Sequence, residues 1–335
     1  MEAEAAEGPA VVARQLRANA GLVASIGARL REHRPRAVIA CARGSSDHAA
    51  TYGKYLIETR ARVLTAFAAP SVSSVYGIAQ DLHDCLFIAI SQSGKSPDLL
   101  ATVAAARSSG ALVIALCNVP DAPLCAAADF AIPLLAGVER SVAATKSYLA
   151  SLSALAHLTA EWTGDAGLLA DLHALPAALE ASWQLDWSAA LPLLEGAGHL
   201  YVIGRGLGLS VAREVALKCK ETCALHAEAY SGAEVRHGPL ALLGPGFPAL
   251  ILAQDDATRP GLEALAAELA ARGVDVLLAG ASASGTVTLP SRPAPAALAP
   301  ILLASSAYRM LAALAVRRGL DPDRPPHLRK VTETL

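Results

Sequence analysis

Aromatic residues are scarce in this chain: Phe, Trp and Tyr together make 4% of its 335 residues. Basic residues are in no surplus either, with 28 Lys and Arg against 30 Asp and Glu and both signs dispersed. A nucleic-acid binder needs a basic stripe and, commonly, stacking platforms, so the two shortages exclude that class and leave a small molecule as the expected partner. No segment runs 18 apolar residues between transmembrane flanks, and the start Met1-Glu2-Ala3-Glu4-Ala5-Ala6-Glu7 lacks the basic lead and apolar core of an export signal. A soluble cytoplasmic protein without membrane contact is expected. The six cysteines include no C-x-x-C pair and several lie in apolar runs, the pattern of reduced core thiols. The nine histidines show no H-x-x-x-H spacing, so neither a metal nor a cofactor is expected.

Apolar residues, by contrast, make up 53% of the chain, and its length exceeds one typical domain, so two cores are expected. In the first half short apolar runs alternate with helical ones: strands are expected at 37–42, 63–68, 85–90, 111–117 and 130–135, with helices at 47–58 and 97–108. The plan recurs in the second half, with strands at 199–203, 249–252, 274–278 and 286–289. Its helices are a long one after Gly206 to about Leu225, then 261–271 and 297–317. Ala42-Arg43-Gly44 is echoed by Gly204-Arg205-Gly206, as duplication of one unit would leave it. The fold class is therefore α/β, two tandem units that are each a mostly parallel sheet flanked by helices in three layers, with ligands expected at strand carboxyl ends. The expected divisions are a helical segment 1–32, a first domain 33–165, a helical linker 166–190, a second domain 191–320 and a tail 321–335.

The segment Ile90-Ser91-Gln92-Ser93-Gly94-Lys95-Ser96-Pro97-Asp98 joins a buried strand to a helix. Three serines, an amide and a glycine supply short donors, close backbone approach and free N–H groups at a helix N-terminus, which together can hold an anion. A capped helix start with Ser96 before Pro97 fits the same residues. In the second unit the corresponding stretch is Ala253-Gln254-Asp255-Asp256, whose carboxylates would repel a phosphate, so one anion site per chain is expected.

A second cluster lies on the long helix: Arg213, Glu214, Lys218, Lys220 and Glu221. Glu214 and Lys218 are spaced for an ion pair, and Lys218 and Glu221 share a face. Spacing alone also suits a solvated helix face. The ionisable stretch that follows, His226-Ala227-Glu228-Ala229-Tyr230 and then Glu234-Val235-Arg236-His237-Gly238-Pro239, points instead to a polar pocket with a general acid/base set.

Taken together these residues resemble the sugar isomerase (SIS) domain family, and within it the isomerase half of glutamine–fructose-6-phosphate aminotransferases. The matching motifs are Ser91-Gln92-Ser93-Gly94-Lys95-Ser96, Ala216-Leu217-Lys218-Cys219-Lys220-Glu221, His226 to Tyr230, and Arg236 to Leu242. The resemblance implies two tandem SIS domains in which Ser91, Gln92, Ser93 and Ser96, joined by Ser45 and Ser46, hold a sugar phosphate. Gly44, Val142 and Ala144 would border the sugar. It further implies Glu221 as the base that moves a proton between C1 and C2, with Lys218 beside it. His237 would assist ring opening, and Lys330 would be a tail lysine able to form an imine. His237 would reach the neighbouring subunit's site, which implies a homodimer.

The departures narrow the expectation. No nucleophilic cysteine lies near Met1, so the resemblance implies an enzyme that takes up ammonia or releases it rather than drawing it from glutamine. Arg43 stands where the aminotransferases carry a cysteine, and Ala144 where they carry a serine. Arg43 could add a cation beside the phosphate, pair with Asp47 or reshape that space. Arg43 to Ala49, Ser93 to Asp98 and Val142 to Tyr148 look most like SIS-type glucosamine-6-phosphate deaminases, which turn glucosamine 6-phosphate and water into fructose 6-phosphate and ammonia. Alternatives on the same fold are a galactosamine 6-phosphate or fructosamine-type substrate, aldose–ketose isomerisation, or ammonia-dependent amination of fructose 6-phosphate. A non-catalytic sugar-phosphate sensor is the reading from another class, and residues 1–36 are short for its usual DNA-binding module.

Overall fold

The computed structural model describes residues 1–330, and the chain forms two compact units, each built on one five-stranded parallel sheet. The first sheet takes β1 (Ala37–Cys41), β2 (Thr65–Phe67), β3 (Cys85–Ser91), β4 (Leu112–Cys117) and β5 (Phe130–Pro133) in the order β2-β1-β3-β4-β5. β3 is buried along its whole length, as a central parallel strand covered on both faces should be, and its run Cys-Leu-Phe-Ile-Ala-Ile supplies that apolar surface. Phe87, Ala89, Val113 and Ala115 of the two central strands pack against Leu99, Val103 and Ala106 of helix Pro97–Ser108.

Helix Gly8–Glu32 joins this unit from Ala10 onward. There the Gln15 amide donates to Leu134 O and Ala150 O, and Asn19 donates to Pro133 O. Helix Lys146–Thr163 belongs to the same unit and is buried over nearly all its length.

The second sheet takes β6 (His199–Gly204), β7 (His226–Ser231), β8 (Ala249–Leu252), β9 (Val276–Ala279) and β10 (Val287–Leu289) in the order β10-β9-β8-β6-β7. Read from the other edge this is the order of the first sheet, so the duplication inferred from Arg43-Gly44 and Arg205-Gly206 extends to strand topology. Helices Gly208–Cys223 and Ala299–Arg317 lie in this unit. The latter is long and apolar enough to cross a bilayer, yet most of it is buried inside the protein.

β7 is the strand the sequence reading did not anticipate. Residues 226–231 were expected only as polar pocket residues, and they form an edge strand paired to β6 from His199↔His226 to Gly204↔Ser231. The alternation His226 and Glu228 outward, Ala227 inward, is that of an edge strand with one face in water. Polar side chains on the outer face hid it.

Candidate functional site

In the first-sheet unit the order β2-β1-β3 places the switch point between β1 and β3, where the chain leaves in opposite directions and a crevice opens at the strand ends. Cys41 pairs with Ala89, so the turn after β1, Arg43 and Gly44 leading into Ser45 and Ser46 at the start of the next helix, and the loop after β3, Gln92 to Ser96, leave neighbouring strands at the same level. Gly44 precedes helix Ser45–Arg60 with φ +54°, a backbone conformation costly for side-chain-bearing residues. Gly94 turns the second loop at φ +65°, and a Cβ there would lie 2.5 Å from Ala122 Cβ and 2.7 Å from Cys117 Sγ. Its N–H donates to Ser91 Oγ at 2.9 Å, which folds the loop back over the end of β3.

Ser96 occupies the N-cap position of helix Pro97–Ser108, yet its hydroxyl makes no cap bond. The simple cap therefore does not account for it. Asp98 accepts instead from Leu99 N–H at 2.7 Å. The side chains of Ser46, Gln92, Ser93 and Ser96 are all half-buried and have no hydrogen-bond partner among the described residues. Half-buried hydroxyls and an amide without partners, next to a helix N-terminus, are a donor set that can hold an oxyanion.

Arg43 pairs with Asp98, its Nε and Nη2 lying 3.0 and 2.6 Å from the same Oδ2. Of the three roles open to it, the pairing with Asp47 is not the one adopted. Two residues back, burial pushes the Cys41 thiol up to about 12, so this cysteine is inert near neutral pH. Elsewhere in the unit Lys330 Nζ lies 3.0 Å from Oε2 of the buried Glu139, which also accepts from Ser147 Oγ at 2.7 Å and Ser147 N–H at 3.2 Å. Lys330 is thus held on a buried carboxylate.

In the second-sheet unit, helix Gly208–Cys223 buries Lys218 completely between two acids. Lys218 Nζ is 2.6 Å from Glu221 Oε2 and 3.3 Å from Glu214 Oε1, and Tyr308 OH donates to Glu214 Oε1 at 3.0 Å. Burial alone would pull the ammonium down, but Glu214 and Glu221 outweigh it and hold Lys218 above the ordinary lysine value. A solvated helix face is therefore ruled out. Glu214 is fully buried, whereas Glu221 retains 19% of its side-chain exposure. It opens on a cavity of about 360 Å³ lined also by Leu217, Leu320, Asp321, Pro326 and Leu328.

Residues of the tail thus wall the cavity that Glu221 faces. The tail is tied down at Asp323, which accepts from Ser141 Oγ at 2.6 Å through its carboxylate and from Val142 N–H at 3.3 Å through its carbonyl. Residues 331–335 of the tail lie outside the described residues. His237 follows the short turn Glu234–Arg236 and is exposed, and its imidazole has no hydrogen-bond partner among the described residues.

Residues 33–160 and 193–291 match the SIS domain family. The chain belongs to that family. A glutamine–fructose-6-phosphate aminotransferase (isomerizing) of Aeropyrum pernix is 37% identical over 331 residues, which cover 93% of this chain and 52% of that one. The chain spans about half the length of the curated relatives it matches. A solved protein of Silicibacter pomeroyi DSS-3, provisionally described as a phosphosugar isomerase, superposes with a TM-score of 0.93 at 41% identity, covering 96% of this chain and 99% of that chain. The C-terminal domain of glucosamine-fructose-6-phosphate aminotransferase from Francisella tularensis superposes with a TM-score of 0.86 at 26% identity, covering 96% and 97%.

Within this SIS fold, Ser45, Ser46, Ser91, Gln92, Ser93 and Ser96 lie at the carboxyl ends of the neighbouring strands β1 and β3 of one sheet, and Lys218 and Glu221 on one helix of the other unit. Val142 and Ala144 lie in segment Arg140–Thr145, which belongs to the second-sheet unit. Sequence reasoning missed Asp98 as the partner of Arg43 and Glu139 as the partner of Lys330. Neither spacing could reveal them, because each pair is brought together from distant parts of the chain. In the second sheet the counterpart of the serine loop is closed by its own side chains: Gln254 Nε2 donates to Arg205 O, Asp256 Oδ2 and Thr258 Oγ1 at 2.8, 3.0 and 3.1 Å. Among the described residues no group of His, Cys, Asp and Glu has the arrangement of a metal site.

Proposed function

We propose that this chain is a phosphosugar-converting enzyme that deaminates glucosamine 6-phosphate, giving fructose 6-phosphate and ammonia. The observation that carries the reading is the buried Glu214–Lys218–Glu221 array, in which one carboxylate is sealed in and the other opens on a cavity. A base beside a fixed cation at a cavity wall suits proton transfer between adjacent carbons.

In the proposed reaction the serine loop grips the phosphate, so remote binding energy orients C1 and C2. His237, contributed from a second copy in a homodimer, assists ring opening to the aldehyde. Glu221 takes the C2 proton, leaving an enolamine, and returns a proton to C1, leaving a ketimine at C2. Water adds to the ketimine carbon and the C2–N bond breaks with release of ammonia. Lys330 can add in place of water once it leaves Glu139, forming an imine that water then hydrolyses.

The aminotransferase name of the 37% identical relative favours one second reading, the same steps run backwards with ammonia as the nitrogen source. The sequence Arg43-Gly44-Ser45-Ser46 with Ala144 supports deamination. The deciding experiment is a coupled assay of the purified chain for ammonia and fructose 6-phosphate from glucosamine 6-phosphate, with the reverse amination run in parallel. Stoichiometric release of both products is expected. Turnover confined to another phosphosugar would overturn the substrate and keep the family.

A further inference from the structure

Asp98 is a costly residue to find at a phosphate cradle. It is 1% exposed and lies in the first turn of helix Pro97–Ser108, the positive helix end that an oxyanion would approach. A buried carboxylate there opposes a phosphate dianion unless a cation answers it. Arg43 supplies that cation from across the crevice, since it follows β1 while Asp98 follows the β3 loop. Its guanidinium is anchored at one edge only, with Nε and Nη2 both on Asp98 Oδ2. The side chain is 56% exposed, and Nη1 has no protein partner among the described residues. A planar fork fixed on a carboxylate along one edge and open along the other is suited to an oxyanion.

We propose that Arg43 is a substrate-binding residue: its open guanidinium edge contacts the phosphate of the phosphosugar, Asp98 holds it in place, and the pair makes the site prefer the phosphate dianion. This rests on the reading that the Ser91–Ser96 loop binds that phosphate. In the second sheet Arg205 occupies the matching place, but there Gln254 Nε2 donates to Arg205 O and Asp255 and Asp256 stand in place of the serines.

The test compares the intact chain with Arg43→Gln, Arg43→Lys and Ser93→Ala, reading KM and kcat for glucosamine 6-phosphate and the affinity for inorganic phosphate by calorimetry. Arg43→Gln should raise KM and the phosphate Kd by about 10- to 100-fold, the loss of a charge-assisted contact, with kcat within about threefold. Arg43→Lys keeps the charge without the fork and should recover part of the loss. The KM of the intact chain for glucosamine 6-phosphate should also rise below about pH 6, where the phosphomonoester dianion is protonated, and that of Arg43→Gln should rise less. Arg43→Gln that leaves KM and Kd within about twofold overturns the proposal, whatever happens to its Tm. If Ser93→Ala raises both constants in that case, only the role of Arg43 fails; if neither variant moves them, the phosphate reading of the loop fails with it. Should Arg43→Gln not fold, Arg43→Lys decides, because an unchanged phosphate Kd there means the fork touches no phosphate.

Discussion

Lys218 Nζ is shared between two carboxylates of its own helix, Glu221 at 2.6 Å and Glu214 at 3.3 Å, and the two differ in what lies behind them. Glu214 is sealed and bonded to Tyr308, while Glu221 faces a cavity. One carboxylate fixes the cation and the other is available for chemistry. Glu221→Gln preserves shape and a hydrogen bond to Lys218 but cannot accept a proton. It should lower kcat by about 10²–10⁴-fold, the usual contribution of a general base, with KM within a few-fold. Steady-state kinetics on glucosamine 6-phosphate checks this, and a variant that keeps most of its kcat means the base lies elsewhere.

Removing the cation tests stability instead. Lys218→Met leaves Glu214 buried without its positive partner, which should cost about 3–5 kcal/mol in urea denaturation. Adding Glu214→Gln to Lys218→Met removes the uncompensated charge and should recover a good part of that loss. Equal instability of the single and double variants would mean that packing, rather than charge, holds this helix.

The Ser91 loop makes a steric prediction. Gly94 sits at φ +65° with Ala122 and Cys117 pressed against the place a Cβ would take. Gly94→Ala therefore strains the backbone and forces β4 or the following turn to move. The expected cost is about 2–4 kcal/mol in urea denaturation, together with a raised KM as Ser93 and Ser96 shift. A thermal shift within a degree of the parent would mean the turn adapts freely.

Much of the fold could be read from the chain because its signals are local. Helix Pro97–Ser108 and strand Ala249–Leu252 begin and end where the apolar pattern and the preceding Pro or loop residues place them. β7 was lost because His226, Glu228 and Tyr230 carry polar groups at alternate positions, and ionisable residues in a row look like a site before they look like an edge strand. The pairs that position the site were illegible for a different reason. Arg43 with Asp98 and Lys330 with Glu139 join residues far apart in the chain, and only the folded sheet order and the return of the tail bring them together.

His157 makes the pH prediction. It is 6% exposed in helix Lys146–Thr163; burial, with a lesser contribution from His173, pulls its pKa down from 6.5 to about 4. An unfolded chain protonates this histidine below about pH 6.5, whereas the folded one keeps it neutral until about pH 4. Between those values the unfolded state binds more protons, so the contribution is fully present above pH 6.5 and is lost progressively as the pH falls towards 4. From pH 7 to pH 5 this one group should cost about 2 kcal/mol. His157→Met removes the titration while filling the same buried space, so its urea midpoint should fall less than the parent's over that range. Parallel losses in parent and variant would place the acid sensitivity on other groups and leave His157 a packing residue alone.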